Sequence, residues 1–96
     1  MSLFRALFNP RSVALIGASA DPAKDNSRAQ RLLAREGYTG RVIPVNPGRA
    51  EIMGLPCFPD IRAVDGPVDH AFIMVAAGAV PAAIAGCVEK GVTAAT

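Results

Sequence analysis

Residues 12–16 read Ser-Val-Ala-Leu-Ile, an uninterrupted apolar run that stops at Gly17 and breaks into Ala-Ser-Ala-Asp-Pro-Ala-Lys. A strand without polar alternation buries both of its faces, which calls for a parallel sheet with helices packed on either side. The remaining chain has the pattern to supply them. Ser27 and Gln30 have the S-x-x-Q spacing of a capping box, which starts a helix by satisfying two orphan backbone donors. Ala29, Leu32 and Leu33 form the expected inner stripe of that helix, Arg28, Arg31 and Arg35 its outer face, and Gly37 its stop. Residues 41–45, Arg-Val-Ile-Pro-Val, make a second strand. Pro44 has no N–H for a ladder, so it should lie where pairing is short or absent. The Pro- and Gly-rich residues 46–61 are a connection with one short edge strand around Pro56–Phe58. Residues 69–75 form a third strong strand, 79–91 a small-residue helix closed by Gly91, and 92–96 the start of another strand. Leu3, Phe4, Leu7 and Phe8 have helical spacing ahead of Pro10, and Met53 and Met74 are expected in the core.

Strands alternating with helices predict an α/β fold: a Rossmann-like doubly wound parallel sheet in three layers, α/β/α. Residues 13–17 and 69–75 should then be neighbours at the switch point, where such sheets bind ligands beyond their strands' carboxyl ends. Residues 17–24, 46–49 and 75–80 converge there. The charge is uneven along the chain: residues 1–49 hold eight Lys and Arg against three acids, residues 50–96 two against five. Such asymmetry can mark an anion site, although ordinary solvated helix faces account for most of it. Cys57 and Cys87 lie thirty residues apart without a CxxC pair, so they read as free thiols of a reducing cytoplasm, with no metal site. Residues 71–88 carry no charge over eighteen positions, yet Gly78, Pro81 and Gly86 interrupt them. That composition suits a buried strand, a turn and a helix better than a membrane span. Neither a membrane nor a nucleic acid is expected as a partner.

The turn after Gly17 departs from the dinucleotide fingerprint G-x-G-x-x-G, since Ser19 and Pro22 stand where the later glycines belong. An NAD site also wants a carboxylate at the end of the second strand for the ribose. That strand ends in Val45-Asn46-Pro47, followed by Arg49, and Lys24 adds a cation from the first loop. Backbone amides at the helix start still favour an anion. The missing acid and the two cations suit a ligand with an extra phosphate, and both NADP and coenzyme A meet that requirement on charge alone.

The stretches ALFNPRSVALIGASADPAK, IPVNPGRAEIMGLPCFPDI and VEKGVTAA resemble the CoA-binding domain of NDP-forming acyl-CoA synthetases, relatives of the succinyl-CoA ligase α subunit, over essentially the whole chain. The resemblance implies a CoA site made by Gly17, Ala18, Ser19 and Lys24 in the first loop, Asn46, Pro47 and Arg49 in the second, and Val75, Ala76 and Ala77 in the third. It implies CoA or acyl-CoA as ligand, with further domains of the same chain or a partner subunit as partners. Asp25-Asn26-Ser27 and Val75-Ala76 depart from the glycines and the Val-Pro that many relatives have. Family enzymes also use a phosphorylated histidine on a neighbouring domain and an ATP-grasp domain, and neither fits in 96 residues. His70, the sole histidine, matches no catalytic motif and reads as structural. Residues 1–96 are thus expected to be a CoA-binding N-terminal fragment of a larger cytoplasmic ligase, its sheet truncated at the C-terminal end and without a catalytic residue of its own. Two other readings stay open: the NAD(P)-binding domain of an oxidoreductase, and a regulatory binding module of a lysine acetyltransferase or a repressor.

Overall fold

A computed structural model describes residues 9–19, 21 and 27–96. Strand β1 (Ser12–Ile16) is buried at every position and lies between two parallel neighbours. β2 (Arg41–Val45) pairs with it in the register Ser12↔Arg41 to Ile16↔Val45. On its other side β5 (His70–Ile73) pairs from Val13↔His70 to Ile16↔Ile73, and β6 (Ala94–Ala95) follows in parallel. The sheet order β2-β1-β5-β6 places the switch point between β1 and β5, as the strand-helix alternation implies.

Alternation along β1 divides the core. Ala14 and Ile16 pack with Ile43, Val45, Ala71 and Cys87, the last from helix α2 (Val80–Lys90). Val13 and Leu15 face the opposite way, against Ala29 and Leu33 of helix α1 (Arg28–Arg35). One helix thus covers each face, as a strand apolar on both sides requires. Each helix ends on a glycine in the left-handed region, Gly37 at φ 72° and Gly91 at φ 85°. At the first of these, Gly37 N donates to Ala34 O and Tyr38 N to Leu33 O, the paired bonds of a Schellman stop. Residues 71–88 resolve into strand, turn and helix, and among the described residues no helix is long and apolar enough to cross a membrane.

Pro44 is fully buried but costs no ladder bond. Its carbonyl accepts from Phe58 N, so its missing N–H lies on the outer edge of β2, where only one isolated bridge, Val45↔Phe58, forms. The edge strand expected around Pro56–Phe58 takes a different form. A small hairpin, β3 (Glu51–Ile52) and β4 (Leu55–Pro56), precedes that bridge.

Three further expectations are corrected. The capping box is not made: Ser27 makes no side-chain cap bond, and Gln30 is buried with its Nε2 donating to Ile52 O at 3.0 Å. Leu32 is exposed, beside an apolar groove of about 510 Å³ shared with Leu33, Phe72 and Met74. Met53 is exposed as well, because Met53 and Gly54 form the two-residue hairpin turn with φ of 50° and 80°. The helix expected over residues 3–8 and the position of Lys24 lie outside the described residues.

Candidate functional site

The carboxyl ends of β1, β2 and β5 converge as expected, and Gly17 closes the first. It turns at φ 92° while its N–H donates to Val45 O at 2.9 Å. A Cβ there would lie 2.5 Å from Met74 O and 3.1 Å from Val75 Cγ1. Bare backbone is therefore needed at this crossing, whatever the turn holds. Ala18 is fully buried on the α1 face with Leu15, Ile52 and Cys57, so its side chain lies in the core and not among the loops. Ser19 Oγ accepts from Asp21 N at 3.1 Å, which shapes the loop and leaves the hydroxyl hydrogen as a donor.

Asn46 ties the second loop to the first. Its Nδ2 donates to Ala18 O at 2.8 Å, and its Oδ1 accepts from Gly48 N at 2.8 Å. Its backbone N–H donates to Phe58 O at 2.9 Å. One side chain thereby fixes two loops at once, a role that an acid in this place would not fill, since a carboxylate has no proton for Ala18 O. Beyond it Pro47 borders the central cavity, while Arg49 is exposed and its guanidinium makes no ion pair among the described residues. In the third loop Val75 is half-buried against that cavity, and Ala76 and Ala77 are exposed at the start of a short 3-10 turn, Ala77–Ala79.

The cavity itself holds about 370 Å³ and opens at the switch point, between Gly17, Pro47 and Val75. Ile16, Val45 and Ile61 form its floor and Ala83 of α2 one wall. Asp60 and Arg62 stand at it too, and neither was singled out in the sequence. They sit there because Phe58 runs parallel to β2, so the residues after it emerge at the same sheet edge as the other loops. Asp60 caps the 3-10 turn Ile61–Ala63 by accepting from Arg62 N at 2.8 Å. Arg62 Nε meets Glu89 Oε2 at 2.5 Å and its Nη1 meets Asp60 Oδ2 at 3.2 Å. The hydrogen bond that Arg62 donates to Glu89 is the main reason that its guanidinium is held even more firmly protonated than usual. The Pro-Asp-x-Arg order of residues 59–62 stands in the sequence, but its place beside β2 depends on the non-local bridge.

His70 is buried at the amino end of β5, its Nε2 2.7 Å from Thr96 Oγ1 and its ring stacked on Phe72. That placement, at the far end of the strand from the loops, fits a structural residue. Cys57 and Cys87 are free and buried, and desolvation pushes both thiols above their ordinary range.

Comparison with known proteins gives one consistent result. The profile of the CoA binding domain matches residues 11–96. The α subunit of ADP-forming acetate–CoA ligase I from Pyrococcus furiosus is 43% identical, over 96% of this chain and 21% of its own length. ADP-forming acetate–CoA ligase II from Archaeoglobus fulgidus is 41% identical, over 92% of this chain and 13% of its own. Among solved structures, the dinucleotide forming acetyl-coenzyme A synthetase 1 of Ca. Korarchaeum cryptofilum, in complex with phosphate and ADP, superposes with a TM-score of 0.89 at 42% identity. The match covers 93% of this chain and 19% of that one. The chain therefore spans about a fifth or less of each of these three relatives.

Proposed function

We propose that this chain, which belongs to the CoA binding domain family, holds coenzyme A across the carboxyl edge of its sheet as the CoA-binding module of an NDP-forming acyl-CoA synthetase. The observation that carries the reading is the switch-point crossing itself. Gly17 leaves bare backbone, Asn46 replaces the ribose-binding acid of an NAD site, and Arg49 offers a cation without an ion-pair partner among the described residues. An arrangement of this kind suits a pyrophosphate and a further phosphate better than the diol of NAD.

In this reading Gly17 and Ala18 shape the turn, their own N–H groups donating to Val45 O and Leu15 O, and the hydroxyl of Ser19 meets the pyrophosphate, with Lys24 as a second cation from the same loop. Arg49 pairs with the 3′-phosphate, for which its planar fork is suited. Asn46 and Pro47 hold the second loop in place, and Val75, Ala76 and Ala77 supply a low, small-residue wall. When bound, CoA supplies the thiol that becomes acylated. This chain's part is to anchor the coenzyme and leave that thiol free to reach catalytic groups carried elsewhere. The parent reaction is the making of acyl-CoA, NDP and phosphate from a carboxylic acid, a nucleoside triphosphate and CoA, with the phosphorylated histidine and the nucleotide lobe on other domains or a partner subunit, in the cytoplasm. The relatives named above are ligases of that kind, which weighs against the oxidoreductase and regulatory readings.

Calorimetric titration of the purified chain with CoA, dephospho-CoA, NAD and NADP tests this. CoA is expected to bind most tightly and NAD least; tighter binding of NAD than of CoA would overturn the proposal.

A further inference from the structure

Helices ordinarily pack on both faces of a parallel sheet, but here the two faces are covered unequally. On the face of Val13 and Leu15, α1 lies over β1, while Phe72 of β5 and Met74 just beyond it stay half-buried. The groove of about 510 Å³ runs between them and Leu32. Ala29 and Leu33 of α1 wall one side of it, and among the described residues no helix walls the other. Its lining has one polar side chain, Thr96, whose Oγ1 is engaged by His70 Nε2 at 2.7 Å. A small ligand is oriented by a few polar groups inside its pocket, and this groove offers only that one. The charge stands at the rim instead. An α-helix advances about 100° per residue, so Arg31, Arg35 and Arg28 fall within an arc of about 60°, with Leu32 next to it on the groove side. All three arginines are exposed, and α1 contains no acid. Leu32 borders both the arginine row and the groove, so the two surfaces are continuous.

We propose that this groove docks an amphipathic helix of a partner protein. Apolar side chains at i, i+3, i+4 and i+7 of that helix lie over Leu32, Leu33, Phe72 and Met74. Its acidic flank pairs with Arg31 and Arg35. The arginine row sets this chemistry, and it weighs against two other occupants. A second copy of this chain presenting the same face would bring arginines to arginines. A bilayer takes up apolar groups that protrude from a surface. Phe72 and Met74 are instead the floor of a groove, and the Phe72 ring is held by stacking on His70 at 4.7 Å. Arg35 lies in the last turn of α1, at the end away from the switch-point loops. The proposal therefore stands apart from the CoA reading.

The probe is a fluorescein-labelled synthetic helix of about five turns, roughly 18 residues, with leucines at that spacing and glutamates along one flank. Fluorescence anisotropy compares it with a copy whose glutamates are lysines. The acidic probe should bind the full chain at least about tenfold more tightly, because like charges across an interface are costly. Arg31→Glu combined with Arg35→Glu should reverse the preference, and CoA affinity measured in parallel reports that the fold is intact. Leu32→Ser, also at an exposed position, should weaken the acidic probe by about tenfold. In a nitrogen–proton correlation spectrum that probe should shift Leu32, Leu33, Phe72 and Met74 and leave Gly17 and Asn46 in place. No binding of the acidic probe, equal affinity for both probes, or a preference unmoved by the charge reversal would overturn the proposal. So would self-association in sedimentation, or adsorption to phosphatidylglycerol vesicles, that Leu32→Ser abolishes.

Discussion

Replacing Gly17 by alanine should be the most damaging single-methyl change at the sheet's carboxyl edge. Two costs add. At φ 92° an L-residue is forced into the left-handed region, which costs about 1–2 kcal/mol. The added Cβ would lie 2.5 Å from Met74 O and 3.0 Å from Met74 C, both backbone atoms of the neighbouring strand end. Nothing flexible can yield there, and forcing extra volume into a packed position costs a further ~1–3 kcal/mol. The total, about 2–5 kcal/mol, is a large part of the roughly 5–15 kcal/mol that holds a domain together. With about 4–8 °C of melting temperature per kcal/mol in a domain of this size, Gly17→Ala should melt at least ~8 °C lower. Gly54→Ala separates the two costs: Gly54 has φ 80° but nothing within 4 Å of an added Cβ, so it bears the conformational penalty alone. Thermal and urea unfolding of both variants, followed by circular dichroism, should show Gly17→Ala losing about 1–3 kcal/mol more than Gly54→Ala. Equal losses would mean that the turn is not closed against β5, and the reason given for glycine at this crossing would be wrong.

Other outcomes follow from the same geometry. Arg49→Ala should weaken CoA binding about tenfold and barely change dephospho-CoA binding, with added salt narrowing the gap; an equal loss for both ligands would remove the 3′-phosphate assignment. Asn46→Ala deletes two 2.8 Å bonds, one to the first loop and one within its own, and should cost about 1–3 kcal/mol in urea unfolding, together with affinity for CoA. The hydrogen bond and charge of Arg41 hold the exposed Asp65 carboxyl below its usual range. A depressed folded value gives stability that is present above the unfolded pKa and lost as pH falls through the folded one. The stability gap between wild type and Asp65→Asn should therefore be constant at neutral pH and close in acid. Cys57 and Cys87, with thiols raised by burial, should react slowly with a disulfide reagent at neutral pH and rapidly once the chain is unfolded.

What the sequence disclosed was the part governed by neighbours along the chain. The four apolar residues 13–16 of β1, the glycine after them, the proline confined to an edge and the glycine stops at 37 and 91 each obey a local steric rule. The losses came where a distant group won. Gln30 leaves the capping box because Ile52 O, twenty-two residues on, needs a donor inside the core. Leu32 belongs to the helical stripe by spacing but faces an open groove instead. Met53 reads as core until a two-residue turn lifts it into solvent, in a conformation that its side chain does not advertise. In the site, the three loops were legible from strand order alone, whereas Asp60 and Arg62 depended on a single bridge between Val45 and Phe58. Ala18 was named for the site, yet its side chain belongs wholly to the core.

The most direct test of where the ligand sits is an amide-by-amide nitrogen–proton correlation spectrum of the isotopically labelled chain, recorded through a titration with CoA. Gly17, Ser19, Asn46, Gly48, Val75 and Ile61 should shift together along a single saturation curve. Gly40, Asp69 and His70, at the amino ends of β2 and β5, should stay still. Shifts confined to that opposite edge, or to the groove beside Leu32 and Phe72, would contradict a coenzyme held at the switch point.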